Sequence, residues 1–234
     1  VIRRLQEDLI QIRDRYVSFH LLLNADGSAV LIDSGFLHGI RRLEAALEEG
    51  GRDWSNLTAI LLTHGHLDHT YNVEAIRQRA PHLKVWGHAA DTAHFRGTYP
   101  YRGIARFCGW LEEAGRRLFG YTPVTLDHTF ADGDVLPFWD GLTVLRLPGH
   151  TAGHCGFYSR KHDLLFSGDL FATWRVRTIL PWRILNSCPE HFPESLRRVR
   201  ALKPRGILSN HADRVDAATQ RARFFATFKA HSAS

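Results

Sequence analysis

Short apolar runs alternate with helical stripes along this chain, and their order predicts sheets flanked by helices. Residues 19–23 and Ala29–Ile32 are apolar runs separated by Asn24-Ala25-Asp26-Gly27, which reads as a hairpin. The second run ends at Asp33-Ser34-Gly35. Ile40, Leu43, Ala46 and Leu47 then recur at helical spacing across 39–49 and stop at Gly50-Gly51. Residues 57–62 form a continuous apolar run, the pattern of a strand buried on both faces. A helix is predicted over 72–79, closed by Pro81, and a short strand over 84–87.

Residues 89–121 are helical in pattern and rich in aromatics and arginine. The β signal then returns, with a turn at Asp132-Gly133-Asp134 and strands at 142–147, 156–159 and 163–166. A helix over 194–202, a strand over 206–209 and a helix over 217–229 complete the chain. Each half supplies strands followed by helices, which fits sheets packed face to face with helices outside. The expected organisation is one domain over 1–234.

The 234 residues carry 44% hydrophobic and 23% charged side chains, a soluble globular composition. No apolar run approaches the roughly 18 residues that span a bilayer. The first sixteen residues carry charges throughout, unlike a secretory signal. Three scattered cysteines (Cys108, Cys155, Cys188) do not make a disulfide framework, so a reduced, cytoplasmic setting is expected. The net charge of +6 rests mostly on arginines dispersed along the chain. That dispersion fits either a general preference for arginine or weak steering of an anionic small molecule. It carries no nucleic-acid recognition motif.

Fifteen histidines are the compositional anomaly, and six of them fall in a pattern with two aspartates. His64-Gly65-His66-Leu67-Asp68-His69 follows directly on the buried run 57–62, where a sheet edge holds a loop rigidly. His64 and His66 can project to one point, and Asp68 and His69, at a helix start, to a second nearby. Imidazole and carboxylate donors suit zinc, iron or manganese. Three further ligand-type residues each follow a predicted strand: His150 in Pro148-Gly149-His150-Thr151-Ala152-Gly153-His154, Asp169 in Ser167-Gly168-Asp169, and His211 after Asn210.

HGHLDH, PGHTAGH, SGDL and the late His211 resemble the metal motifs of the metallo-β-lactamase fold superfamily, and LIDSG at 31–35 resembles its first motif. The resemblance covers about residues 19–211. It implies an α/β (α+β) fold, an αββα sandwich of two mixed β-sheets with helices on the outer faces. It also implies two divalent metal ions, zinc first and iron or manganese as alternatives. His64, His66 and His150 would hold one, Asp68, His69 and His211 the other, with Asp169 bridging. Two cations about 3.5–4 Å apart can share a hydroxide that attacks an ester, thioester, lactone or phosphoester. Asp68 is the expected proton shuttle. Asp33 is expected behind the ligands, orienting a histidine or making a local turn bond. His154 is expected either to support the ligands or to be a buried structural residue.

Departures from sub-family patterns narrow the reading. Asp169 stands where some β-lactamase subclasses have cysteine or serine, and His66 where flavodiiron proteins have glutamate. Glyoxalase II enzymes are similar in all seven ligands, but their basic glutathione-binding segment is not recognisable here. Ala172 stands where lactonases place a tyrosine, and no tRNA-binding arm like that of ribonuclease Z is visible. A generic metal-dependent hydrolase remains. The alternatives are a mononuclear iron dioxygenase resembling persulfide dioxygenases, a nuclease or phosphodiesterase, and a binding-only member. Specificity is expected from a helical insertion at 89–121 and a loop at 170–192. Their Phe95, Tyr99, Tyr101, Phe107, Trp110, Phe171, Trp174 and Trp182 would form an apolar pocket with an anion-binding rim, or else core or a homodimer contact.

Overall fold

A computed structural model of the chain describes residues 1–98, 101–174 and 177–229, with Trp174 described in its backbone only. The expectations for Tyr99 and the Trp174 side chain therefore fall outside the described residues. Strands β1 (Ile2–Gln6), β2 (Leu9–Asp14), β3 (Val17–Leu23), β4 (Ala29–Ile32), β5 (Leu57–Leu61), β6 (Lys84–His88) and β7 (His128–Phe130) lie in that order in one seven-stranded sheet. Its first four strands pair antiparallel, and β4 through β7 pair parallel. The second sheet runs β12 (Arg177–Ile179), β11 (Leu164–Trp174), β10 (Cys155–Ser159), β9 (Leu142–Arg146) and β8 (Val135–Leu136). Strand β13 (Gly206–His211) adds to it, parallel to β11.

Period-two alternation explains how the sheets stack. In β3 and β4, Leu22, Val30 and Ile32 face a core shared with Leu142, Val144, Phe157, Phe166 and Leu208 of the second sheet. Their neighbours Phe19, Leu21 and Leu31 face the opposite way, onto Leu43 and Leu47 of α1 (Gly39–Glu49) and Ile76 of α3 (Val73–Arg79). On the far side, Leu165 and Ile207 pack against Val199 of α6 (Phe192–Leu202) and Phe224 of α7 (Ala217–Thr227). Sheets with both faces apolar must be covered on both faces, and the result is the expected helix–sheet–sheet–helix layering. Among the described residues no helix is long and apolar enough to cross a membrane.

The predicted hairpin at 24–27 joins β3 to β4, and the helices and strands of the pattern recur with ends displaced by a few residues. Three features depart from the sequence reading. Strands β1 and β2 occupy the charged amino-terminal stretch, where the amphipathic signal is weak because β1 lies half exposed at the sheet edge. The segment 89–121, read as helical, is helical in several pieces among its described residues. A 3₁₀ turn and α4 (Thr92–Phe95) come first, and α5 (Arg106–Phe119) follows after a second 3₁₀ turn. Finally, the strand read over 163–166 continues as β11 through Asp169 to Trp174.

Asp169 is therefore on a strand with an irregularity, not in a loop after one. The register of β11 with β13 shifts between Phe166 and Gly168 and again before Ala172. Gly168 has φ +54°, and a Cβ there would lie 2.5 Å from His154 Nε2. A glycine permits both the left-handed turn and the close imidazole, and the local shift turns Asp169 toward the site.

Asp91, at the end of the first 3₁₀ turn, joins two of the chemically important loops. Its fully buried carboxylate accepts from Gly65 N at 3.1 Å, from Thr151 Oγ1 at 2.6 Å and from Gly153 N at 2.6 Å. Replacing it leaves three buried donors without an acceptor. Asp91→Ala should therefore lose on the order of 3 kcal/mol of stability, with Asp91→Asn recovering part. Urea midpoints equal to the parent protein would refute that role.

His20 in β3 is buried between the sheets against Phe166. Burial pushes its pKa down to about 4, with Asp33 opposing. Between an unfolded value near 6.5 and about 4, the unfolded chain binds a proton that folded His20 does not. Stability is thus complete above about pH 6.5 and falls as the pH drops toward 4, by up to about 3 kcal/mol from this group. Equilibrium urea unfolding at several pH values should show His20→Gln flatter than the parent across that window; matching slopes would contradict it.

Candidate metal centre

Four chain segments meet at the edge of the sandwich, and the Asp33 carboxylate lies where they join. Asp33 follows β4 with φ +61°, a conformation that aspartate tolerates better than most side chains. Fully buried, it accepts from Thr63 N at 2.8 Å, Thr63 Oγ1 at 2.8 Å, His69 Nδ1 at 3.0 Å and Asn210 Nδ2 at 2.6 Å. Because the Thr63 hydroxyl donates to Asp33, its oxygen is left to accept from His64 Nδ1 at 3.0 Å. Asp33 thus orients two histidines, one directly and one through Thr63, and is not a turn residue alone.

The same logic fixes the other imidazoles. His150 Nδ1 donates to Asn186 Oδ1 at 2.8 Å, and His211 Nδ1 to the Tyr16 carbonyl at 3.2 Å. His66 Nε2 pairs with the Tyr101 hydroxyl, which leaves Nδ1 for the centre. His154 donates from Nδ1 to Leu147 O at 2.8 Å and accepts the Asp169 backbone N–H at Nε2, 2.9 Å away. Both its nitrogens are engaged, so His154 positions Asp169 and offers no lone pair of its own.

With one ring nitrogen tied to the protein, each histidine of the cluster presents the other inward. The structure brings together all seven residues singled out by sequence. His64, His66 and His150 form one group, Asp68, His69 and His211 another, and His64, His69 and Asp169 a third; within each group the ligand atoms lie within 4.8 Å of one another. Asp169 sits between the first two. Its Oδ2 is 3.4 Å from His150 Nε2 and 3.1 Å from His211 Nε2, while Oδ1 is 3.5 Å from His69 Nε2. Asp68 Oδ2 is 3.4 Å from His211 Nε2.

The chemistry of this donor set fits metal ions. His64 Nε2, His69 Nε2, His150 Nε2 and Asp169 Oδ1 are all buried without a hydrogen-bond partner. Clustered lone pairs of this kind are costly unless a cation takes them. The electrostatics agree. Burial and the neighbouring imidazoles hold His64 and His66 well below the usual histidine range. At His69 burial opposes protonation, but Asp169, Asp68 and Asp33 outweigh it and raise the pKa; Asp169 does the same against burial at His211. Asp169 itself is held well below the usual carboxylate range, because His211 and His69 overcome its burial. The carboxylates call for positive charge at one point, and divalent ions would supply it.

The cluster forms the floor of a cavity of about 370 Å³. One wall comes from β11, β12 and the turn after it, the other from Cys108 and Glu112 of α5, with Tyr16 at the side. Phe171 and Trp182 line this cavity as expected, whereas Phe95 is packed into the core beneath the first sheet. Phe107 and Trp110 point to solvent, and Tyr101 meets His66. No arginine lines the cavity among the described residues, so no anion-binding rim is formed by them. Glu112 accepts from Leu67 N at 3.0 Å, and burial together with nearby Asp68 pushes its pKa up to about 7.

Asp91, Glu112, Asn186 and Tyr16 were not readable as site residues, since each acts from a distant segment, and Tyr101, expected as a pocket, core or dimer-contact aromatic, pairs with His66. Tyr16 stacks on His211 with ring centroids 5.7 Å apart. Only Thr63 and Asn210 carried a signal, by adjacency to His64 and His211. His94 is buried with its ring 5.7 Å from that of His66, whereas His191 is half exposed beside Glu190.

A family model described as the metallo-beta-lactamase superfamily matches residues 13–211. The hydroxyacylglutathione hydrolase of Rhodobacter capsulatus is 35% identical over 154 residues, 65% of this chain and 46% of that protein. The chain spans about half the length of the curated relatives it matches. Among solved structures, a metallo-beta-lactamase family protein of Thermus thermophilus aligns with TM-score 0.69 and 26% identity, covering 94% of this chain and 78% of that one. TTHA1623, solved in a di-iron-bound form, aligns with TM-score 0.68 and 25% identity over 91% of this chain and 96% of its own. With its layered sheets, its histidine–aspartate cluster and a family match over most of its length, the chain belongs to the metallo-β-lactamase superfamily.

Proposed function

We propose that this chain is a metal-dependent hydrolase that holds two divalent ions and cleaves an ester, thioester, lactone or phosphoester. The observation that carries the reading is the pair of three-residue ligand groups sharing the Asp169 carboxylate at the floor of one cavity. Hydrolysis as the reaction class draws support from the hydroxyacylglutathione hydrolase relatives. His64, His66 and His150 would hold one ion, Asp68, His69 and His211 the second, and Asp169 would contact both. Nitrogen and oxygen donors without thiolate suit zinc first, then iron or manganese. Such ions supply Lewis acidity and an activated water.

The chain's own residues do the rest. Asp33, Thr63, Asn186 and the Tyr16 carbonyl keep each imidazole in the tautomer whose lone pair faces inward. Asp68, which lines the cavity beside His211, takes up a proton and delivers it to the leaving group. The walls formed by Phe171, Pro181 and Leu185 exclude water from the scissile bond.

Purified protein should contain two equivalents of zinc or manganese by elemental analysis. Chelator should abolish turnover of a chromogenic ester or phosphodiester, and added metal should restore it. His150→Ala should lose one equivalent together with the activity. A single equivalent of iron with oxygen consumption would instead favour the dioxygenase alternative. Asp68→Asn protein, compared at equal metal content, should turn over about 10²-fold more slowly; unchanged turnover would remove its proton-transfer role.

A further inference from the structure

The cavity above the metal cluster is unlike its floor. Phe171, Ala172, Ile179, Pro181, Trp182 and Leu185 make one continuous wall, and Cys108 faces them from α5. The ionisable carboxyls among the described lining residues are Asp68, Asp169 and Glu112. Of these, the first two belong to the metal cluster. Glu112 is already met from within the protein, by Leu67 N at 3.0 Å and by the Arg116 guanidinium 3.9 Å away. Among the described residues the upper cavity therefore offers apolar surface, with no unpaired charge beyond the metal cluster.

Trp182 on this wall is 68% exposed, and Ile179 beside it 38%. Phe107, Trp110 and Leu111 of α5 are also exposed, but they are not among the residues that α5 turns to the cavity. Large apolar side chains left in water at a cavity mouth are what a hydrophobic ligand covers. A carboxylate or phosphate in the same place would lose its hydration against apolar walls with Glu112 nearby.

Resting on the hydrolase reading, and going beyond it to the substrate, we infer that this cavity accepts an uncharged, hydrophobic substrate body, an alkyl chain or ring adjoining the scissile carbonyl. Substrates bearing a carboxylate at the far end of that body are selected against. The segment 179–186 serves both purposes, since Ile179, Pro181, Trp182 and Leu185 form the wall while Asn186 holds His150. Ligand contact with the wall is thus mechanically close to a residue of the metal cluster.

The test is binding of non-hydrolysed amides to the full, metal-loaded chain, followed by calorimetry and by tryptophan fluorescence. Butanamide, hexanamide and octanamide should bind with affinity rising about fourfold per methylene, the fold-change equivalent to about 0.8 kcal/mol. Octanamide should bind at least tenfold more tightly than chains of equal length ending in a carboxylate or an ammonium. Ile179→Lys should shift the preference toward the carboxylate-ended chain at unchanged metal content. A flat methylene series, equal or tighter binding of either charged chain, or an unshifted preference in Ile179→Lys would each overturn the inference. Turnover of p-nitrophenyl octanoate separates the two readings. Preserved binding order without turnover rejects the hydrolase alone, and turnover with reversed binding order rejects the hydrophobic cavity alone.

Discussion

The Asp33 carboxylate, with four donors drawn from three segments of chain, is the interaction on which this site depends. Thr63 reaches it from the loop after β5, His69 from the short helix Leu67–Thr70, and Asn210 from β13 in the other sheet. One buried charge thereby fixes two histidines and fastens the first sheet to the second at their common edge. The Cys155 N–H donation to Thr63 O, at 2.9 Å, crosses the same seam beside it. A buried carboxylate that accepts from four donors is stable only while every donor stays in place. The geometry of the cluster is therefore coupled to the docking of the two sheets.

Around that node the fold resolves a conflict. Four imidazole or carboxylate atoms are buried facing one another without hydrogen bonds, an arrangement that packing by itself disfavours. It persists because each outer ring nitrogen is held by a group that does not belong to the cluster: Thr63, Asp33, Asn186, the Tyr16 carbonyl or Tyr101. Asp91 adds a second tie between the loops carrying His66 and His150, and His154 holds the backbone of Asp169. The supporting residues come from both sheets and from the segment 89–101. What reads as a specificity insertion is, at its beginning, part of the scaffold of the histidine–aspartate cluster.

Cavity and cluster also differ in how firmly they are specified. The floor is fixed by charge and hydrogen bonding, where an error of an ångström leaves a group unpaired. The walls are fixed by apolar contact alone, which tolerates substitution of similar volume. Members of this superfamily that share the floor are thus free to differ in the wall, and the wall of this chain is apolar.

The sequence by itself determined the candidate donors and the layering. HGHLDH places four donors within six residues, so their proximity is a matter of covalent connection, and the two-faced apolar strands require cover on both sides. His150, Asp169 and His211 were legible because each lies at or near the end of an apolar run. Asp91 and Asn186 were not, because an aspartate or an asparagine acquires its role only from what the fold sets against it. Likewise Phe95 and Trp182 look alike as aromatics in a helical or loop segment, and only tertiary packing sends one into the core and the other to the cavity wall. The strand end before Asp169 differs from the sequence reading for a related reason. A glycine in Ser167-Gly168-Asp169 signals a turn locally, whereas pairing of β11 with β10, β12 and β13 carries the strand through it. Local chemistry names the donors, and long-range hydrogen bonding decides what holds them and what they face.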